Sequence, residues 1–381
     1  MPCIHGTTVM RSFSLLSLAL GIFLFYSCAN AAPAIPPAAL AGVCSAIVYD
    51  LDHDAILFEQ NPDERIPPAS LTKVMSMFLA MDYISAGHAK TSQPVRISQA
   101  SAATGGSRMG LKANEDVTLG KLLLGMAVSS GNDASHAVAE FVGGSAPAFV
   151  RMMNSKARQL GMTNSNFINP HGLPATGQYT TARDMLTLSR AYLMTHPYAL
   201  DLHNELVLEH GGYKSWNKNP LIGQYPGADG LKTGWIRASG YNLIFTAQRN
   251  GRRLLAVILG APDIYSRGAE ACRLLDAGFM VCSNDAVSVA AALDSLPVDL
   301  NRIDPRKTAR DHGIHKPARS LKKQTAVAKL SKKRLPANPR LERTFAARKH
   351  GKITQAKVVT KRLQPKQKVH ASTRHARSSR G

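Results

Sequence analysis

The sequence lacks the patterns from which metal sites and disulfide frameworks are built. Neither Cys-x-x-Cys nor His-Glu-x-x-His occurs, and the 13 histidines show no ligand spacing. We therefore expect neither a metal ion nor another cofactor. If an N-terminal signal is removed, Cys44, Cys272 and Cys282 remain. This odd number allows at most one disulfide, and the sequence leaves its pairing open.

Long apolar runs are also scarce, with one exception near the N-terminus. After Arg11, residues 13–27 are mostly apolar, and Ala29-Asn30-Ala31 offers the small residues that a signal peptidase recognises. The run is shorter than the roughly 20 residues that a membrane-spanning helix needs. We predict a signal peptide at residues 1–31 and an exported protein of the periplasm or cell envelope. A retained membrane anchor is the alternative.

Negative charge is nearly missing from the C-terminal region. Residues 301–381 contain 25 Lys and Arg but 3 Asp and Glu, so they account for the whole formal net charge of +22. A segment with so little apolar surface cannot offset its ordering entropy, which predicts a disordered basic tail. Its expected partners are an anionic membrane surface or acidic wall polymers, and a solvated tail without a partner is the alternative. Nucleic acid is not expected outside the cytoplasm.

The remaining sequence predicts one domain over residues 44–284, between linkers at 32–43 and 285–300. Strand patterns occupy residues 45–49, 55–58, 243–247 and 253–259, and helical periodicity occupies residues 71–81, 122–128, 134–141, 147–160 and 266–279. Asn250-Gly251, between the last two strands, is a strong hairpin signal. Strands from both chain ends flank a block of helices. This order predicts the fold class α/β (α+β), an antiparallel sheet flanked by helices with an inserted all-helical subdomain.

Three short motifs carry the functional interpretation, and the first is Ser70-Leu71-Thr72-Lys73 at the start of an amphipathic helix. The hydroxyl and the amine lie one turn apart on the same helix face. The helix N-terminus favours negative charge on Ser70, and burial favours a neutral Lys73 that can act as a base for a serine nucleophile. The spacing alone is weak evidence, because Ser320 and Lys323 repeat it in the tail.

The second and third motifs follow in order along the chain. Ser130-Gly131-Asn132 comes after an apolar helix, where a hydroxyl can relay a proton and an amide can bind a substrate backbone. Lys232-Thr233-Gly234, followed by Trp235, is expected on a strand, where a cation and a hydroxyl can hold a carboxylate. Glycine there permits close approach of the substrate. Each motif alone fits ordinary turn or edge-strand chemistry, but the ordered set is the signature of penicillin-binding proteins and class A β-lactamases.

The chain resembles the low-molecular-mass penicillin-binding proteins of the serine-type D-alanyl-D-alanine carboxypeptidase family. Besides the motifs, the segments that carry the resemblance are residues 65–77, 104–110, 167–173, 181–185 and 229–234. The resemblance covers about residues 45–279 and implies a β-lactamase/transpeptidase-like fold. Many members have a further β-rich domain and a C-terminal membrane helix. We expect neither here, because a short stretch at 285–300 leads directly into the basic tail.

The resemblance also implies a mechanism, with peptidoglycan stem peptides as substrates and β-lactam antibiotics as inhibitors. Ser70 would attack the carbonyl between the two terminal D-alanines, Lys73 would accept its proton, and Ser130 would protonate the departing D-alanine. Backbone N–H groups of Ser70 and Trp235 would bind the oxyanion. The implied substrate-binding residues are Asn132, Lys232, Thr233, Gly234 and Trp235.

Three alternatives remain open. A β-lactamase needs a general base that clears the acyl-enzyme, but residues 164–173 contain no carboxylate, which favours a penicillin target that deacylates slowly. A D-Ala-D-Ala endopeptidase that cleaves cross-links has the same motifs. A non-catalytic scaffold held at the wall by the basic tail is the third alternative.

Overall fold

The computed structural model describes Leu40 and residues 42–304. The predicted signal peptide and residues 305–381 of the predicted tail lie outside the described residues. The strands are β1 (Ser45–Asp50), β2 (Ala55–Gln60), β3 (Pro94–Arg96), β4 (Asp116–Thr118), β5 (Val207–His210), β6 (Tyr213–Trp216), β7 (Ala228–Ile236), β8 (Gly240–Arg249) and β9 (Arg252–Ala261). The helices are α1 (Thr72–Ser85), α2 (Gln99–Ala103), α3 (Leu119–Val128), α4 (Asn132–Gly143), α5 (Ala146–Leu160), α6 (Ala182–Thr195), α7 (Ala199–His203), α8 (Ile264–Cys282) and α9 (Val289–Ser295), and a 3₁₀ turn at Ala69–Leu71 precedes α1.

Both ends of the described chain build the main sheet. Its five strands have the order β2-β1-β9-β8-β7, and every pair is antiparallel. The turn between β8 and β9 has positive φ at Asn250 (49°) and Gly251 (77°), as the hairpin signal predicts. Helices α1 to α7 lie between β2 and β7 in sequence, so the predicted α+β fold with a helical insertion is confirmed.

Alternating side chains on the central strands separate two apolar layers. On β8, Leu243 and Phe245 pack in the layer that contains α8, whereas Ile244 packs in the layer that contains the inserted helices. The inserted helices therefore cover one face of the sheet, and the C-terminal helices cover the other. Strand β7 is an edge of the sheet, and its free side is available to the helix that carries Ser70.

The segment at 285–300, predicted as a linker, instead contains a packed helix. Val289 and Leu293 of α9 are buried, and Arg273 on α8 donates to the carbonyl oxygens of Leu293 (2.7 Å) and Leu296 (2.9 Å). The chain then runs back along α8, and Ile303, assigned to the tail, is 1% exposed. The apolar pattern of α9 spans under two turns, which is too short for a periodicity signal.

The other predicted linker also contributes to the core at its end. Leu40 and Val43 are buried, and the Gln60 side chain bonds to the Leu40 N–H and the Val43 carbonyl, both at 2.8 Å. The three cysteines at positions 44, 272 and 282 are all unpaired. Within residues 42–304, none of the helices has the length and apolar character needed to cross a membrane.

Candidate active site

Lys73 and Ser70 form the centre of the site at the start of α1. The Lys73 Nζ lies 2.9 Å from the Ser70 Oγ, 2.6 Å from the Asn132 Oδ1 and 2.6 Å from the His171 carbonyl oxygen. The amide and carbonyl oxygens can only accept hydrogen bonds, whereas a hydroxyl can also donate. A neutral amine that donates to both oxygens therefore turns its lone pair towards the Ser70 hydroxyl.

The surroundings of Lys73 favour this neutral form. The side chain is completely buried, and burial, together with the positive charges of Lys232 and Lys218, holds the pKa of Lys73 well below its ordinary value. Asp133 acts in the opposite direction, but four backbone N–H groups already bind its carboxylate. A lysine whose pKa is lowered in this way is suited to act as the base for a serine nucleophile.

The Ser130-Gly131-Asn132 motif lies at the N-terminus of α4, next to Lys73. The Asn132 Nδ2 donates to the Gly105 carbonyl (2.7 Å), which fixes the orientation of the amide, and its N–H donates to the Ser107 carbonyl (2.7 Å). Ser130 has a positive φ of 58° and is 3% exposed. Its hydroxyl makes no hydrogen bond within the described residues, which leaves it available to a substrate.

Residues 167–173 contain His171, whose carbonyl oxygen is the third hydrogen-bond partner of Lys73. The Pro170 carbonyl accepts hydrogen bonds from Ser76 on α1 (2.6 Å) and Ser135 on α4 (2.7 Å). These two bonds position the next carbonyl, that of His171, at the Lys73 amine. His171 was not among the predicted site residues, and no local pattern could predict it, because the contribution comes from its backbone carbonyl.

The Lys232-Thr233-Gly234 motif lies on β7, directly against the 3₁₀ turn. A Cβ at Gly234 would lie 3.2 Å from the Ser70 backbone nitrogen, so a glycine allows this close approach. Lys232 is 1% exposed, and its Nζ donates to the Thr233 carbonyl (3.0 Å). The Thr233 hydroxyl makes no hydrogen bond within residues 42–304. The motif thus places a cation and an available hydroxyl beside Ser70.

Two further cations that sequence analysis missed surround this motif. Lys218 donates to the Ser107 hydroxyl (2.7 Å), and both Lys218 and Arg267 lie close enough to lower the pKa of Lys232. Arg267 on α8 is 6% exposed, and its Nε has no hydrogen-bond partner in the described part of the chain. Burial lowers the pKa of Arg267 to about 10. A buried guanidinium whose Nε is unsatisfied, close to Lys232, is suited to bind a carboxylate.

The charge of Lys232 gives the site a testable pH dependence. Burial, Lys218 and Arg267 lower the pKa of Lys232 to about 7, so the free protein loses this cation as the pH rises through about 7. We expect kcat/KM for a substrate with a terminal carboxylate to fall about fivefold between pH 7 and pH 8. The arginine of Lys232→Arg keeps its charge at these pH values, so the fall of kcat/KM above pH 7 should be smaller in this variant. An identical alkaline limb in both proteins would contradict the assignment.

The fold and the site together define a class. An antiparallel sheet with a helical insertion, and a Ser-Lys pair that faces a Lys-Thr-Gly edge strand, are features of the penicillin-binding serine peptidases. A family model described as D-alanyl-D-alanine carboxypeptidase matches residues 33–263, which is more than half of the chain. The chain belongs to this D-alanyl-D-alanine carboxypeptidase family.

Individual relatives agree with this family. The chain is 38% identical over 239 residues to the D-alanyl-D-alanine carboxypeptidase DacF of Bacillus subtilis, covering 62% of this chain and 61% of that protein. The crystal structure of DacD from Francisella tularensis matches with a TM-score of 0.61 at 32% identity, covering 65% of this chain and 73% of that chain. Penicillin-binding protein D2 from Listeria monocytogenes, in its ampicillin-bound form, matches with a TM-score of 0.58 at 28% identity. The match covers 62% of this chain and 97% of that chain. The chain thus spans about three fifths of the length of DacF.

Proposed function

We propose that this protein is an exported serine-type D-Ala-D-Ala carboxypeptidase, which removes the terminal D-alanine from peptidoglycan pentapeptides in cell-wall biogenesis. Ser70 attacks the carbonyl between the D-alanines while Lys73 takes its proton. Ser130 protonates the leaving D-alanine, and water then hydrolyses the acyl-enzyme. Backbone N–H groups of Ser70 and Trp235 stabilise the oxyanion.

One observation carries the proposal. The amine of Lys73 contacts two oxygens that can only accept, those of Asn132 and His171, and its third contact is the Ser70 hydroxyl. In the neutral amine, the two N–H groups would donate to these oxygens and the lone pair would point at the Ser70 hydroxyl. Lys232, Thr233 and Arg267 supply the binding site for the terminal carboxylate, and Asn132 supplies an amide for the substrate backbone.

The surroundings of Ser70 also favour slow loss of a penicilloyl group. Lys73 contacts three neutral groups and no carboxylate in the described part of the chain, and the nearby Asp133 is engaged by four backbone N–H groups. A β-lactamase requires a base that activates water on the acyl-enzyme. The site therefore supports a penicillin target rather than an enzyme that destroys penicillin.

Labelling with fluorescent penicillin tests the proposal. The wild-type protein should form one covalent adduct, and Ser70→Ala should form none, because Lys73 bonds to no other hydroxyl among residues 42–304. The matched control is Ser145→Ala at the start of α5, which should be labelled as the wild type is. Ser76→Ala would be a weaker control, because the Ser76 hydroxyl bonds to the Pro170 carbonyl and so positions residues 167–173. A folded wild-type protein that never labels would support the scaffold alternative instead.

Release of D-alanine from a soluble pentapeptide should accompany this labelling. The endopeptidase alternative predicts faster cleavage of cross-linked peptide dimers than of pentapeptide. Comparing kcat/KM for the two substrates separates these activities, and a preference for the dimer would overturn the carboxypeptidase assignment.

We propose further that the basic tail holds the enzyme at an anionic surface of the cell envelope. Asp304, where the described chain ends, bonds through its N–H to the Gln224 side chain (3.1 Å), and Ile303 packs against Gly268. The described chain therefore ends against α8, at a residue next to Arg267 in sequence. Each basic residue close to an anionic surface contributes roughly 1 kcal/mol of attraction.

A full-length variant in which Lys and Arg of residues 305–381 are replaced by Gln tests the role of the tail. Anionic lipid vesicles and isolated cell wall should each be offered to both proteins over a range of salt concentrations. The wild type should bind at least one of these surfaces, and this binding should disappear at high salt. Equal binding by the two proteins would contradict the proposal, and hydrolysis of soluble pentapeptide should be the same in both.

A further inference from the structure

The indole of Trp235 has no role in the proposed mechanism, which uses only the backbone N–H of this residue. Its side chain is 56% exposed at the end of the edge strand β7. The ring centroid lies 5.8 Å from that of Tyr241, its cross-strand partner on β8. A large, half-exposed aromatic side chain thus packs against Tyr241 at the rim of the site.

The alternation of side chains along β7 indicates which part of the site this ring borders. Thr233 and Trp235 are two residues apart and therefore share a face. Their cross-strand partners are Leu243 and Tyr241, and Leu243 packs in the layer that contains α8. Arg267 on α8 lies with its Cζ 5.8 Å from the Tyr241 ring centroid. The indole therefore lies beside the Thr233 hydroxyl, on the side where the leaving residue places its carboxylate.

We propose that the Trp235 side chain limits the size of the leaving group, so that a single D-alanine is accepted and a leaving residue attached to a second peptide is disfavoured. The proposal rests on the proposed carboxypeptidase function. In both reactions the Ser70 Oγ forms a bond to the carbonyl carbon, the C–N bond breaks, and the departing amine takes a proton. The substrates differ in the substituent on the leaving residue.

The physical reason is steric. D-Alanine carries a methyl group beyond its anchored carboxylate and amine, whereas the leaving residue of a cross-link carries a chain that continues outwards. With the carboxylate held by Thr233 and Arg267, this chain must pass the indole. Tyr241 packs against one side of the ring and is itself bordered by Arg267. The indole therefore forms a wall on the leaving-group side of the site.

The test compares wild type, Trp235→Ala and Trp235→Phe on two soluble substrates, a pentapeptide ending in D-Ala-D-Ala and a cross-linked peptide dimer. The measured quantity is the ratio of kcat/KM for dimer to kcat/KM for pentapeptide, so a general loss of activity cancels. We expect Trp235→Ala to raise this ratio about tenfold, since one contact of a binding pocket typically changes discrimination by this order. Trp235→Phe keeps a ring at the rim and should change the ratio little. Met194→Ala, an exposed apolar residue on α6, is the control for surface truncation.

Penicillin labelling of the same samples separates the two proposals. A wild-type protein that labels and releases D-alanine, with a ratio that rises in Trp235→Ala alone, supports the inference. A ratio that is unchanged or falls in Trp235→Ala, while labelling persists, overturns the role of the indole and leaves the carboxypeptidase assignment intact. Absence of labelling in the wild type would overturn the proposed function itself.

Discussion

Replacing Gly172 by alanine is expected to destabilise the protein by about 4 kcal/mol or more, because it combines two separate penalties. Gly172 has a φ of 89°, and an added Cβ would overlap the carbonyl of Ala69. Ala69 itself has a positive φ of 50° and directly precedes Ser70, so the overlap must displace the nucleophile or the 167–173 segment. Any protein that still folds should acylate with penicillin at least about a hundredfold more slowly, as expected for a misplacement of roughly 1 Å.

Gly177→Ala is the matched control for this change. Gly177 has nearly the same φ, 81°, but an added Cβ would meet nothing closer than the Ile168 Cδ1 at 4.0 Å. Gly177→Ala should therefore lower the free energy of unfolding by about 1 kcal/mol, from backbone strain alone, and leave the rate of penicillin acylation unchanged. Chemical denaturation and stopped-flow acylation of the two variants measure the difference. Equal losses in both would show that the close approach of Gly172 to Ala69 is unimportant.

The active site could be predicted from sequence where each contribution comes from a motif. Ser70 with Lys73, Ser130 with Asn132, and Lys232 with Thr233 are neighbours in sequence, so helix or strand periodicity relates the members of each pair. The order of strands and helices predicted the sheet, and Asn250-Gly251 marked the hairpin between β8 and β9. The family resemblance then indicated that the three motifs converge on one site.

The remaining contributors could not be predicted, and the reasons differ. The His171 carbonyl reaches Lys73 across 98 positions and contributes no side-chain signal. The apolar residues of α8 are enough to predict a helix, and they give no signal for Arg267. Its approach to Lys232 depends on how α8 crosses the sheet. Helix α9 lies in the segment predicted as a linker, because its three buried residues give no clear helical periodicity. Long-range packing, rather than local pattern, determines all three.

Arg267→Met is expected to separate stability from activity. The guanidinium is buried with its Nε unpaired, and an unsatisfied buried polar group costs about 1–3 kcal/mol. A methionine of similar length removes this cost, so we expect the free energy of unfolding to rise by about 1 kcal/mol or more. The same change removes a cation from the carboxylate site. We expect kcat/KM for pentapeptide to fall by about two orders of magnitude, which corresponds to about 2.7 kcal/mol.

Arg273→Met, on the same helix, is expected to change stability and activity in the opposite way. Arg273 is 8% exposed, but it pairs with Glu270 (3.0 Å) and donates to the carbonyls of Leu293 and Leu296. Its loss should lower the free energy of unfolding by about 3 kcal/mol and leave the kcat/KM of the folded enzyme unchanged. Two buried arginines, six positions apart on α8, would then have opposite effects on stability. If Arg267→Met destabilised the protein to the same extent and left kcat/KM intact, Arg267 would be a structural residue and the carboxylate site would consist of β7 alone.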